Sequence, residues 1–144
     1  MIVVDTSALV AILDEEPDAL TYAEAIADAD QPLISAATLV EAGIVMFNRR
    51  GTKAAQMLDR LIEESSFQVE SVTAQHARLA REAHVRYGKG QKTAGLNFGD
   101  CFSYALAKAT GLPLLFKGGD FSRTDIPAVL PRERSENGER ADQG

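Results

Sequence analysis

Apolar positions along this chain switch between two spacings, and the switches mark the elements. Ile2-Val3-Val4 is a short β-branched run and predicts a buried strand ending at Asp5. Leu9, Val10, Ile12 and Leu13 then recur at helical spacing, with Thr6 or Ser7 as the expected cap. Pro17 and Asp18 reopen a helix over about residues 19–29, with proline in the first turn, where its missing N–H costs nothing. A short strand at 32–35 precedes a helix over 35–47, ended near Asn48 to Gly51. Ala54, Met57, Leu58, Leu61 and Ile62 stripe a further helix over 53–64. Residues 67–72 alternate at period two, as a strand does. Helices follow over 74–86, capped by Thr73, and from Asn97 to Thr110, closed by Gly111. Residues 113–116 form the last predicted strand.

Strands alternating with helices predict an α/β fold in three layers, a mostly parallel central sheet flanked by helices. In such folds ligands collect outside the carboxyl ends of the strands. The predicted domain covers residues 1–131. The polar stretch 132–144 has no apolar anchor beyond one alanine and is expected to be a disordered tail.

Against that frame of elements, four acids stand at the edges of apolar segments. They are Asp5, Glu41 inside Leu39-Val-Glu-Ala-Gly-Ile, Asp100 in Asn97-Phe-Gly-Asp-Cys-Phe, and Asp120 after Lys117-Gly-Gly. Each has a structural alternative. Asp5 can open a turn, Glu41 can face water or an arginine, Asp100 can complete a capping box with Asn97, and Asp120 can be a turn acid. Taken together they suggest a different chemistry. Carboxylates crowded into a partly dry pocket repel unless protons or a cation neutralise them, and a hard divalent ion with oxygen ligands would do so.

Composition narrows the partners. The net charge is −6, but residues 1–64 carry 4 basic and 12 acidic side chains, while residues 65–131 carry 8 basic and 5 acidic. Arg78, Arg81, Arg86, Lys89 and Lys92 fall between His76 and Lys92 against only Glu82. A basic face beside an acidic metal pocket suits a polyanion, although a solvated helix surface would read the same way. Aromatics are 6% of the chain with no Trp, so stacking platforms are not a prominent feature. The single Cys101 excludes an internal disulfide and a thiolate cage, and reads as a buried structural thiol. His76 and His84 read as solvated. No basic-flanked leader or spanning segment is visible, which makes the cytoplasm the expected location, with no membrane partner.

The four motifs in this order closely resemble the PIN-domain ribonucleases, specifically the VapC toxins of bacterial type II toxin–antitoxin pairs. Val4-Asp5-Thr6-Ser7-Ala8-Leu9 resembles the first motif, Ala37-Thr-Leu-Val-Glu41-Ala the helical glutamate, Asn97-Phe-Gly-Asp100-Cys-Phe the third, and Gly119-Asp120-Phe with Thr124-Asp125 the last. The resemblance covers about residues 1–131. It implies a metal-dependent endoribonuclease cutting tRNA or rRNA, a homodimer or larger toxin–antitoxin assembly, and a VapB-like antitoxin placing an arginine among the carboxylates. Asp5, Glu41 and Asp100 would hold one Mg²⁺ or Mn²⁺, directly or through water, with Asp120 completing the site or holding a second ion. Thr6 or Ser7 would orient a carboxylate or water, and Asp125 would support the last loop. Arg86, Lys89 and Lys92 are candidates for the phosphate track. The dimer is expected to use helices of the N-terminal half, including the stripe over 53–64.

Two other readings compete. A non-catalytic module could bind a basic peptide in the acidic cleft. A metal-dependent phosphatase for small molecules is disfavoured, because the chain lacks Asp-x-Asp after its first strand and a Gly-rich phosphate loop with a lysine.

Overall fold

The computed structural model describes residues 1–90 and 94–131. Lys92 and the predicted tail lie outside the described residues. Four strands, β1 (Ile2–Val4), β2 (Pro32–Ser35), β3 (Gln68–Glu70) and β4 (Leu114–Leu115), form one sheet in the order β3-β2-β1-β4. Every pairing is parallel, with Val3 opposite Leu33 in register on one side and opposite Leu114 on the other.

Side-chain alternation at period two splits the core between the two faces. Ile2, Val4, Ile34 and Leu115 face one layer, built from α1 (Thr6–Leu13), α2 (Ala19–Asp28), α3 (Ala36–Arg50) and α4 (Thr52–Glu64). Val3, Leu33 and Leu114 face the other, built from α5 (Ala74–Tyr87) and α6 (Phe98–Thr110). The chain first winds from β1 outward to β3, then returns through α5 and α6 to lay β4 against the other side of β1. The end of β1 is thus a topological switch point, where a crevice opens beyond the strand.

Three expectations change in detail. The cap of α1 is Asp5 itself, with extended backbone and a side chain accepting from the Ser7 amide, so Thr6 and Ser7 lie inside the helix. The strand expected over 67–72 shortens to three residues. As the sheet's edge it pairs only with β2, and Val69 and Val72 stay exposed. The stripe on α4 packs mainly on its own chain: Ala54 and Leu58 are buried, Leu61 and Ile62 pack against that core, and only Met57 points outward. The stripe is taken up largely by α3 and α1, against which α4 packs. Further outward apolar residues of this layer are Val40, Ile44 and Phe47 on α3 and Leu20 on α2.

Candidate active site

Asp5 lies at the carboxyl end of β1 and is only 2% exposed. Its burial is compensated by three hydrogen bonds. Oδ2 accepts from the Ser7 amide at 3.1 Å and from Ser7 Oγ at 2.7 Å, and Oδ1 accepts from Ser103 Oγ at 2.5 Å. Ser103 is fully buried on α6 and lies 3.2 Å from Thr38 Oγ1 on α3. With Asp5 ionised, Ser103 gives its proton to Asp5, so the hydroxyl of Thr38 donates to Ser103. Ser7 Oγ also accepts the Lys117 amide at 2.9 Å, which ties the loop after β4 to the same carboxylate.

Glu41, half-buried on α3, is held by Thr6, whose hydroxyl donates to Oε1 at 2.5 Å. Its other oxygen lies so close to Gly99 that a β-carbon there would stand 1.6 Å from Oε2. A side chain at that position would displace the carboxylate; the backbone angle itself makes no demand for glycine. Gly99 belongs to the first turn of α6, and one residue later Asp100 completes a capping box. The Asn97 side chain accepts the Asp100 amide at 2.9 Å, while Asp100 Oδ2 accepts the Asn97 amide at 3.0 Å. Capping is therefore one role of Asp100, as its spacing predicts. It does not exhaust the carboxylate, because Oδ1 accepts no hydrogen bond among the described residues.

Electrostatics ties the acids together. Burial pushes the Asp100 carboxyl up to about 7, opposed by the Asn97 amide and reinforced by the charges of Asp5, Asp120 and Glu41. Glu41 is raised by burial and by Asp5, against the Thr6 hydrogen bond. Asp5 is raised by burial despite its hydroxyl and amide donors. Asp120 stays exposed beyond β4 and joins this set through its effect on Asp100. Asp125 has another duty. It accepts from Tyr104 at 2.7 Å and pairs with Lys108 at 2.6 Å, fastening the last loop to α6.

The donor set suits a hard cation: all oxygens, crowded and short of counter-charge, with Glu41 Oε2 and Asp100 Oδ1 free of hydrogen bonds among the described residues. Among those residues, however, no three His, Cys, Asp or Glu side chains stand close enough to grip one ion directly. Ligation partly through water fits this spacing, and a closed three-carboxylate cage does not. Arg86 lies over the Tyr87 ring at 5.0 Å, and Lys89 is exposed at the end of α5.

Two residues of this site escaped the sequence reading, Ser103 and Thr38. Hydroxyls inside helices carry no signal of their own. The available hint was the three-residue step from Asp100 to Ser103, which puts both on one face of α6. Ser103→Ala should cost ~1–3 kcal/mol, by leaving Thr38 and one oxygen of Asp5 short of a partner. It should also lower turnover by roughly 10–100-fold, as loss of an outer support does at metal sites. A melting curve and a cleavage assay on the one variant check both.

The raised carboxyls also set a pH dependence. In the cation-free protein the native state binds more protons than the unfolded chain between about pH 4 and pH 7. Stability is therefore fully present below the ordinary carboxylate range and is lost as pH rises through about 7. Melting in a chelator should fall in temperature from pH 5 to pH 8. Asp125, held below its ordinary value by Lys108 and Tyr104 against the opposing effect of burial, acts only at lower pH. A flat or rising profile would contradict the crowding of these acids.

The PIN domain family matches residues 2–127. Ribonuclease VapC28 of Mycobacterium tuberculosis is 51% identical over 131 residues, covering 90% of this chain and 98% of that protein. Ribonuclease VapC of Mycolicibacterium smegmatis is 50% identical over 127 residues, covering 88% and 98%. Among solved structures, Mycobacterium tuberculosis VapC20, a sarcin–ricin loop cleaving toxin, superposes with a TM-score of 0.75 at 26% identity over 91% of this chain and all of that one. The chain belongs to the VapC ribonucleases of the PIN-domain family. Nucleases of this family are generally metal-dependent. Among the described residues no helix is long and apolar enough to cross a membrane.

Proposed function

We propose that this protein is a Mg²⁺-dependent endoribonuclease toxin, with Mn²⁺ as a competent substitute, that hydrolyses phosphodiester bonds of tRNA or rRNA. The observation that carries the reading is the Asp100 carboxyl, free at Oδ1 and pushed up to about 7 by burial and three neighbouring acids. Such a group is neutralised by a proton or by a cation, and a cation that binds it displaces the proton. The near full-length identity to named ribonucleases supports the substrate class.

In this reading residues 1–131 form the nuclease unit, and Asp5, Glu41, Asp100 and Asp120 hold the ion, directly or through water. When bound, the ion supplies Lewis acidity toward a phosphate oxygen and makes water a better nucleophile. The rest belongs to the chain. Ser7 and Ser103 fix both oxygens of Asp5, Thr6 fixes Glu41, and the Asn97 amide turns Asp100 so that one oxygen points free. Water would bond to phosphorus as the bond to the ribose 3′-oxygen breaks, so the products are a 5′-phosphate and a 3′-hydroxyl. Arg86 and Lys89 are the described candidates for the phosphate track.

The expected partner is a VapB-like antitoxin, whose arginine fork pairs with a site carboxylate in place of the cation. The toxin itself is a two-fold homodimer. Sedimentation at micromolar concentration should give about twice 15.5 kDa, and a lone monomer would remove that part of the proposal. The main test is cleavage of structured RNA with Mg²⁺ and with chelator, beside turnover of p-nitrophenyl phosphate. Mg²⁺-dependent RNA fragments without phosphomonoester turnover are expected. Phosphomonoester turnover alone would replace the proposal with a phosphatase.

A further inference from the structure

Between α5 and the beginning of α6 lies an open hollow of about 620 Å³. Ala80, Leu96, Cys101 and Phe102 form its apolar wall, and Arg81, His84 and Lys89 its rim. Phe98 also lines it and is the most exposed large apolar residue described, at 81%. Its ring stands edge-on to Phe102, with centroids 5.0 Å apart and planes at 80°. One face of Phe98 is therefore free to receive a flat group.

We propose that this hollow receives one unpaired nucleobase of the RNA substrate, stacked on Phe98, while Arg81, His84 and Lys89 hold the flanking phosphates. The inference rests on the nuclease reading and adds how that nuclease grips its strand. Charge selects the occupant: two cations and an imidazole are among its lining residues, and among the described residues no acid lines it. A nucleotide matches an apolar wall with a basic rim, since its base is flat and its phosphates are anionic. Single-stranded RNA is typically recognised by splayed bases stacked on aromatic rings. The low aromatic content of the chain does not weaken this, because one ring placed at the site suffices.

The test compares the full-length wild type with Phe98→Ala, Phe98→Leu and Phe98→Tyr. Filter binding in chelator, where cleavage is blocked, uses a stem–loop RNA library with a randomised loop and a blunt duplex. Cleavage of the same library is followed in Mg²⁺. Phe98→Ala and Phe98→Leu should weaken stem–loop binding about tenfold, since stacking is worth ~1–3 kcal/mol per base. Phe98→Tyr should bind within about twofold of wild type, and the duplex should bind weakly to all four proteins. Replacing Lys89 by Gln should flatten the salt dependence of binding. Melting temperatures should stay together, because the ring is exposed. If Phe98→Leu binds like wild type, stacking is overturned while a cleaving wild type leaves the nuclease reading intact. If Phe98→Ala loses a cognate antitoxin but keeps RNA, the hollow is a protein-docking site and the proposal falls. If wild type binds the library without cutting it, the nuclease reading fails and stacking survives. Neither binding nor cutting would sink both.

Discussion

Asp100→Asn is expected to abolish RNA cleavage, by more than about 100-fold, and to make the cation-free protein melt higher at pH 8. The two effects come from one group. Loss of an outer support of a metal site costs 10–100-fold, and loss of a ligand should exceed that. Asparagine nevertheless keeps an oxygen for the Asn97 amide, so the capping box survives. What disappears is a charge that burial and the charges of Asp5, Asp120 and Glu41 all oppose. Each unit of upward shift corresponds to ~1.4 kcal/mol between protonation states. Even one unit should raise the melting temperature by roughly 3 °C in a domain of this size. Asp5→Asn should lose activity equally, with a smaller gain in stability, because Asp5 accepts from three donors and an amide has one oxygen to offer them. Near wild-type cleavage by Asp100→Asn would leave the proposed mechanism untenable.

Gly99→Ala should separate folding from activity even more sharply. The new methyl would stand 1.6 Å from Glu41 Oε2 and 2.3 Å from its carboxyl carbon. The obstacle is the end of a flexible side chain, so the helix need not move. Glu41 would swing away and lose the Thr6 hydroxyl at 2.5 Å. The expected result is a melting temperature within a few degrees of wild type and cleavage reduced at least about tenfold, comparable to losing an outer support. A variant that unfolds would show instead that Glu41 is immovably packed. One that cleaves normally would remove Glu41 from the site.

Most of the fold was legible from residue spacing. The β-branched run at Ile2 to Val4, the period of the helices and the capping signals at Thr73 and Asn97 each have a local cause, and local causes are visible in a linear text. The cap of α1 was not, because Asp5, Thr6 and Ser7 are adjacent and all able to cap. The choice falls to where β1 stops pairing, and that depends on Leu115, more than a hundred residues away. The stripe on α4 had the same limitation: amphipathicity shows that a face is covered, not by what. At the site the four acids were legible because carboxylates are out of place in apolar segments. Ser103 and Thr38 were not, since a buried hydroxyl gains meaning only from a partner such as Asp5, 98 residues away in the chain. Phe98 carried no separate signal, because its outward direction is set by the turn of α6.

Cys101 gives the molecule an internal clock. The sole thiol is 4% exposed, its Sγ bonded to the Asn97 carbonyl at 3.3 Å, and burial with the Asp100 charge pushes its pKa up. An alkylating reagent therefore finds almost no thiolate while the first turn of α6 stays closed. The rate at which that thiol is consumed measures how often the turn bearing Asp100 opens. A cation or an arginine bound to Asp100 would act on that rate twice, holding the turn closed while removing a charge that suppresses the thiolate, with no dye or tag added to the protein.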